Sequence, residues 1–257
     1  MQREEGRALI PWQWWRARCI KRNLGCALVL SAACGGAFFL GMHATTQSSP
    51  FAEAQRDHLA RLDGASVPGR VVFLGSSTFQ GLDVSAVTPY GLNLSMGGDT
   101  LTSLTERTAG YRAVRVARAV WVNIGLNDVM HRCELPSARL DALFQYIPQP
   151  IPIFVLGAQA VDHAKHGSRC AGRLVQLVTE LNADFARACI ARPGCIFVHH
   201  PVAPGDSSSD AAILREGDGI HLSPAGYARL SARLRKALAE ASVTFVAASM
   251  HDEEPQR

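Results

Sequence analysis

The chain has 257 residues, of which 47% are hydrophobic and 19% are charged, and its formal net charge is +4. This composition excludes a chain that is disordered throughout, and the length allows one sizeable α/β domain with an appendage. The excess positive charge lies before residue 24 and the rest of the chain is close to neutral, which argues against a nucleic-acid-binding protein.

The first predicted element is a membrane-spanning helix over residues 24–42, a segment without charged residues. Such a helix would span about 28 Å, close to the thickness of the hydrocarbon core of a bilayer. Basic residues precede it, together with Trp12, Trp14 and Trp15. By the positive-inside rule, we expect a single-pass signal anchor in the inner (cytoplasmic) membrane, with the N-terminus in the cytoplasm and the remainder periplasmic. The alternative is cleavage as a signal peptide, which would release a secreted protein.

The chain divides by its composition into five predicted segments. They are a cytoplasmic basic segment (1–23), the transmembrane helix (24–42), a linker with a short helix (43–62), an α/β domain (63–245) and a flexible tail (246–257).

Strand-like and helix-like patterns alternate along the domain, which predicts a parallel sheet built from βαβ units. The predicted strands are 70–74, 91–94, 119–124, 151–156 and 195–199. The predicted helices are 51–63, 100–111, 136–147, 170–191 and 223–241. The last of these begins at Ser223-Pro224, a capping hydroxyl followed by proline at the first helical position.

Polar or glycine-rich clusters follow every predicted strand except the fourth. They are 75–77, 93–100, 125–128 and, after a long loop, 218–221. Ligands of open α/β sheets bind beyond the carboxyl ends of the strands, so these clusters are expected to meet at one edge of the sheet.

These clusters contain the residue types of a serine nucleophile site. A serine hydroxyl needs a base to remove its proton, and a histidine base needs a partner that fixes its tautomer. Asp218 lies three residues before His221, so a tight turn can direct both at one edge. Gly98 and Asn127 offer N–H donors for an oxyanion. Each motif alone also has a plain structural interpretation, namely a turn, a helix cap, an Asx-turn or a solvated histidine.

Taken together and in this order, "FLGSS", "NLSMGGDT", "GLND" and "DGIH" resemble the four conserved blocks of the SGNH hydrolases, also called GDSL-type lipases and esterases. The resemblance covers about residues 70–240. It implies a flavodoxin-like three-layer α/β/α domain with a five-stranded parallel sheet, and no metal or organic cofactor. Ser76 departs from the family pattern by replacing the aspartate of the first block, and Ser95 stands where many members have glycine.

The resemblance also implies a role for individual residues. Ser77 matches the nucleophile, and Asp218 and His221 match the acid and the base. The N–H groups of Ser77 and Gly98 and the side chain of Asn127 match the oxyanion hole. Nothing within "GSST" itself distinguishes Ser77 from its neighbours.

Four cysteines lie in the predicted exported part, where an oxidising compartment permits two disulfides. The expected strand neighbours favour Cys133–Cys170 and Cys189–Cys195 as a hypothesis, with free thiols as the alternative. No metal site is expected from the remaining loop histidines, which are His163, His166, His199 and His200. We expect the first two to be solvated, and Asp128 to order its own loop.

The favoured function is hydrolysis of an acyl ester, with acetyl as the favoured acyl group, on an exported carbohydrate or lipid. The alternative is an O-acyltransferase that acts on an envelope polysaccharide or lipid, because the same triad serves both reactions. A catalytically inactive binding module is the third possibility. Neither the substrate nor the oligomeric state is predicted by the sequence.

Overall fold

The computed structural model describes residues 49–136, 139–162, 165, 170, 172–203 and 216–251, and side chains up to residue 241. The predicted membrane segment 24–42 and the loop residues His163 and His166 lie outside these ranges. The chain divides into two units between Ala52 and Glu53, and the fold described below is that of the second. Among the helices of the described residues, none has the length and hydrophobicity that crossing a bilayer requires.

Helices and strands alternate along the chain as the sequence predicts. The elements are α1 (Pro50–Ala65), β1 (Val71–Gly75), α2 (Ser77–Gln80), β2 (Gly91–Asn93), α3 (Leu101–Gly110), β3 (Ala119–Asn123), α4 (Leu126–Arg132), α5 (Leu140–Phe144), β4 (Ile153–Leu156), α6 (Leu174–Ile190), β5 (Cys195–Val198) and α7 (Pro224–His251).

The strands of the described residues form one parallel sheet in the order β2-β1-β3-β4-β5. This is the strand order of flavodoxin-like folds, in which the chain reverses direction across the sheet between β1 and β3. The three central strands are buried along their whole length, whereas β2 and β5 at the edges are partly exposed. The predicted five-stranded α/β fold is therefore confirmed.

Aromatic side chains form the centre of the core on one face of the sheet. Trp121 stacks on Phe154 with ring centroids 4.6 Å apart and on Phe73 at 6.4 Å. Leu230 and Leu234 of α7 belong to the same buried cluster. Alternate strand residues face the other side of the sheet, where α6 contacts β4 and β5 and packs against α4 and α5. Helices thus flank the sheet on both faces.

Some helices differ from the prediction. The predicted helix 136–147 is limited to Leu140–Phe144. The last helix extends past residue 241, and Ser223 caps its start as predicted, since the Gly226 amide donates to Ser223 Oγ at 3.1 Å. The helices α2 and α4 were not predicted, because segments of 4 and 7 residues are too short to show helical periodicity.

Both predicted disulfide pairs are present. Cys133 is bonded to Cys170, with Cα atoms 5.2 Å apart, and this bridge joins the end of α4 to the loop that precedes α6. Cys189 is bonded to Cys195, with Cα atoms 4.8 Å apart, and this bridge joins the end of α6 to β5. The first bridge therefore lies at the carboxyl edge of the sheet, where the candidate site is found.

Candidate active site

Of the three hydroxyl residues after β1, Ser77 is the one that is partly exposed. Ser76 and Thr78 are each 4% exposed, whereas Ser77 is half-buried. Ser77 is the first residue of α2, immediately after the carboxyl end of β1. Glycine at position 75 lets the end of β1 lie close to β3, because an added Cβ would lie 2.4 Å from the carbonyl oxygen of Asn123 on that strand. The turn from β1 into α2 therefore presents one hydroxyl at the edge of the sheet.

The loop after β2 lies beside Ser77. The Gly97 amide donates to Gln80 Oε1 of α2 at 2.8 Å, and a Cβ added at Gly97 would lie 3.8 Å from Ser77 Cβ. Gly98 has φ +82°, a left-handed conformation that favours glycine. Within the described residues, neither the Gly98 amide nor the Ser77 amide donates a hydrogen bond. Both N–H groups are therefore available to an oxygen atom bound next to Ser77.

The segment after β3 is joined to the same loop by two side chains. Asn127 Nδ2 donates to the carbonyl oxygen of Asp99 at 2.9 Å, which leaves its second N–H available. Asp128 Oδ2 accepts from the Leu101 amide at 2.9 Å, so Asp128 orders the start of α3 as well as its own segment. Burial raises the pKa of Asp128, against the effect of this hydrogen bond.

The loop after β2 is held by a buried ion pair that the sequence did not reveal. Asp99 is 3% exposed, and its Oδ2 accepts from Arg107 Nε at 3.1 Å. Arg107 Nη1 also donates to the carbonyl oxygen of Leu94 at 3.2 Å, and Ser103 Oγ donates to Asp99 Oδ1 at 2.9 Å. The separation of eight residues between aspartate and arginine has no local signature, so the sequence alone suggests for Asp99 only a helix cap before α3. Thr100 provides that cap instead, through a reciprocal pair with Ser103.

Asp218 and His221 form a hydrogen-bonded pair, as the spacing of "DGIH" predicts. His221 Nδ1 lies 2.5 Å from Asp218 Oδ2, and Asp218 Oδ1 accepts from the backbone amides of Ile220 and His221 at 2.9 and 3.0 Å. Although partial burial opposes the shift, the hydrogen bonds from the His221 side chain and the two amides lower the pKa of Asp218 to about 2. The carboxylate thus stays ionised near neutral pH, and His221 Nε2 is the ring nitrogen left for another partner.

A single polar residue of the site also follows β4, after which the sequence shows no polar cluster. Gln159, three residues after β4, is 2% exposed. Its Oε1 accepts from Thr78 Oγ1 at 3.1 Å, and its Nε2 donates to the carbonyl oxygen of Ile220. The prediction missed Gln159 because one glutamine among small apolar residues forms no recognisable motif.

The predicted site residues are thus linked by contacts at one edge of the sheet. Gly97 contacts the Ser77 helix, Asn127 binds the Gly98–Asp99 loop, and Gln159 connects Thr78 with Ile220. One expected contact is not formed: within the described residues, the Ser77 hydroxyl has no hydrogen-bond partner, His221 included. Hydrogen bonds between a serine and a histidine base are often long in structures without substrate.

The two histidines after β5 differ from each other. His199 is exposed, whereas His200 is 6% exposed and its Nδ1 accepts from the Val202 amide at 3.1 Å. Burial lowers the pKa of His200 to about 3. In the part of the chain that the structure describes, no group of three or more His, Cys, Asp or Glu side chains could hold a metal ion.

Comparison with solved structures identifies the fold. A Streptococcus pneumoniae protein provisionally described as a platelet activating factor has a TM-score of 0.59 at 19% identity, over 72% of this chain and 92% of that one. A GDSL-like lipase from Bacteroides thetaiotaomicron has a TM-score of 0.53 at 18% identity, over 72% and 98%. The chain has the fold of GDSL-like lipases.

A third similar structure is a transferase. The catalytic domain of peptidoglycan O-acetyltransferase A from Streptococcus pneumoniae has a TM-score of 0.52 at 12% identity, over 69% of this chain and 96% of that domain. No protein-family model and no curated protein matches the sequence.

Proposed function

We propose that the protein is an exported, membrane-anchored serine esterase of the SGNH type that hydrolyses an acyl ester. The observation that carries the proposal is the pair Asp218–His221, at 2.5 Å, at the same edge of the sheet as the accessible hydroxyl of Ser77. The likeness in fold to GDSL-like lipases supports the same chemistry.

In the proposed mechanism, Ser77 Oγ attacks the ester carbonyl while His221 Nε2 takes its proton. Asp218 is bonded to Nδ1, so it fixes the tautomer with a free Nε2 and stabilises the imidazolium that forms. The N–H groups of Ser77 and Gly98 and the second N–H of Asn127 would stabilise the oxyanion. His221 then protonates the leaving alcohol, and water activated by the same histidine hydrolyses the acyl-enzyme.

Export and anchoring are proposed from the sequence. The uncharged segment 24–42 after a basic segment supports an inner-membrane anchor with the catalytic domain in the periplasm. Separation of membrane and soluble fractions, with and without alkaline carbonate, tests the proposal: an anchored protein stays in the washed membranes, whereas recovery of a shortened chain in the soluble fraction would indicate cleavage.

The proposed chemistry is tested by comparing the hydrolysis of p-nitrophenyl acetate by the wild type, Ser77→Ala and Ser76→Ala. Replacing the nucleophile by Ser77→Ala is expected to lower kcat by about a millionfold. Ser76→Ala is the matched control, since Ser76 is buried and next in the chain, and it is expected to retain activity. Wild-type activity of the Ser77→Ala protein would refute the assignment.

The second candidate is an O-acyltransferase, in which a sugar hydroxyl replaces water in the second step. The likeness in fold to the catalytic domain of a peptidoglycan O-acetyltransferase supports this candidate. A transfer assay with an acetyl donor, in the presence and absence of a carbohydrate acceptor, separates the two functions. Acetylated carbohydrate as the main product would favour the transferase, and free acetate at an unchanged rate would favour the esterase.

A further inference from the structure

Gln159 is buried between the two segments that contain the proposed nucleophile and the proposed base. Its side chain uses both ends of the amide: Oε1 accepts from Thr78 Oγ1 at 3.1 Å, and Nε2 donates to the carbonyl oxygen of Ile220. Thr78 directly follows Ser77, and Ile220 directly precedes His221. One side chain, 2% exposed, therefore connects both segments.

The segment that contains Gln159 is itself fixed to the sheet and to α6. The Asn182 side chain of α6 binds both backbone groups of Ala158, the residue before Gln159. Asn182 Oδ1 accepts from the Ala158 amide at 2.7 Å, and Asn182 Nδ2 donates to the Ala158 carbonyl oxygen at 3.0 Å. The Gly157 amide donates to Val198 of β5 at 2.9 Å. Gln159 thus extends from a rigid part of the fold.

The side chain of the proposed base is itself exposed, although Leu222, the next residue, is buried in the core. The side chains of Asp218 and His221 are 46% and 45% exposed, and their hydrogen bond lies within one turn. That bond fixes the ring relative to the loop, but it does not fix the loop relative to Ser77. Two hydrogen bonds from other segments hold the backbone of the loop. The Asp162 amide donates to the carbonyl oxygen of Gly219 at 2.8 Å, and Gln159 Nε2 donates to that of Ile220.

We propose that Gln159 is a positioning residue, which holds the loop of Asp218 and His221 in register with α2 so that His221 Nε2 can reach Ser77 Oγ during the reaction. The inference rests on the proposed function, since it assigns Gln159 a role in that reaction. A buried amide is suited to this role, because it can accept from one segment and donate to the other, and neither bond is weakened by water.

The test compares the kinetics of Gln159→Met and Thr78→Val with p-nitrophenyl acetate as substrate. Methionine matches glutamine in length and removes both hydrogen bonds, so kcat is expected to fall about tenfold to a hundredfold through misplacement of the base. KM should stay within about twofold of the wild-type value, because the substitution removes no contact with the bound substrate. The acid limb of the pH profile of kcat/KM should not move, because the bond between His221 and Asp218 is retained. Thr78→Val removes only one bond and should give a smaller loss of kcat.

Asp63→Asn is the control for a general loss of stability. Asp63 is buried and accepts from the Arg112 and Ala113 amides, which precede β3 at the opposite edge of the sheet. This variant should lower Tm without lowering kcat. A folded Gln159→Met protein with the kcat of the wild type would overturn the inference. If Gln159→Met does not fold, an unchanged kcat in Thr78→Val would overturn it.

The Ser77→Ala protein separates failure of the inference from failure of the proposed function. Full activity of Ser77→Ala would refute the function itself. An inactive Ser77→Ala protein beside a fully active Gln159→Met protein would refute only the role of Gln159.

Discussion

Ser77 differs from the hydroxyl residues on either side of it in what its side chain contacts. Ser76 is buried at the start of α2, and Thr78 is buried and donates to Gln159, so both are unavailable to a substrate. The sequence distinguished Ser77 only through its resemblance to a family. The structure adds a physical reason, which is that the turn from β1 into α2 exposes a single hydroxyl.

At the same scale, the burial of His200 leads to a prediction of how the free energy of unfolding depends on pH. Burial lowers its pKa from 6.5 to about 3, so between these values the unfolded chain binds a proton that the folded chain does not. The free energy of unfolding therefore decreases as the pH falls from 6.5 towards 3, by at most about 1.4 kcal/mol per pH unit from this group. Urea unfolding at several pH values measures this slope.

The matched variants are His200→Leu and His199→Leu. Leucine at position 200 leaves the Val202 amide without its acceptor at every pH, so stability should fall by a constant amount while its slope with pH becomes shallower. Replacing the exposed His199 by leucine should leave the slope of stability with pH unchanged. The same slope in both variants would contradict the prediction.

At the scale of elements, the site is built from short turns between strands and helices. The long amphipathic and apolar segments, β1, β3 and α6 among them, were predictable because their patterns extend over whole elements. The contacts of Gln159 and the pair Asp99–Arg107 were not predictable, because they join residues far apart in the chain or on different turns. Sequence motifs identified which loops matter, and tertiary contacts determine how those loops are held.

The loop that contains Asp218 and His221 requires glycine at one position. Gly219 has φ +75°, and an added Cβ would lie 2.7 Å from the carbonyl oxygen of Asp162. Gly219→Ala should therefore lower stability by about 1–3 kcal/mol from backbone strain and lower kcat about tenfold or more by displacing His221. Unfolding in urea and steady-state kinetics measure the two effects.

Gly217→Ala is the control for this change, since an added Cβ there would meet nothing within 4 Å. It lies in the same loop, two residues earlier, and should retain both stability and kcat. Similar losses in the two variants would show that the loop tolerates no alanine at all, and that the geometry of Gly219 is not the cause.

For the whole molecule, the two disulfides predict unequal contributions to stability. Cys133–Cys170 closes a loop with a sequence separation of 37 residues, whereas the separation of Cys189–Cys195 is 6. By the entropy of the unfolded chain, the longer loop should stabilise by about 4 kcal/mol and the shorter by about 2 kcal/mol. Urea unfolding of the two double serine variants measures this difference, and an equal or larger loss from the shorter bridge would contradict it.

The whole fold brings the carboxyl ends of β1 and β3 together at the point where the strand order reverses, and the candidate site lies there. The central claim is that Ser77 is the nucleophile of this site. The most direct measurement is peptide mapping by mass spectrometry after reaction with a fluorophosphonate, which phosphonylates an activated serine. The account predicts one adduct, on Ser77, that is lost in His221→Ala. An adduct on Ser76, or no adduct in an active protein, would contradict it.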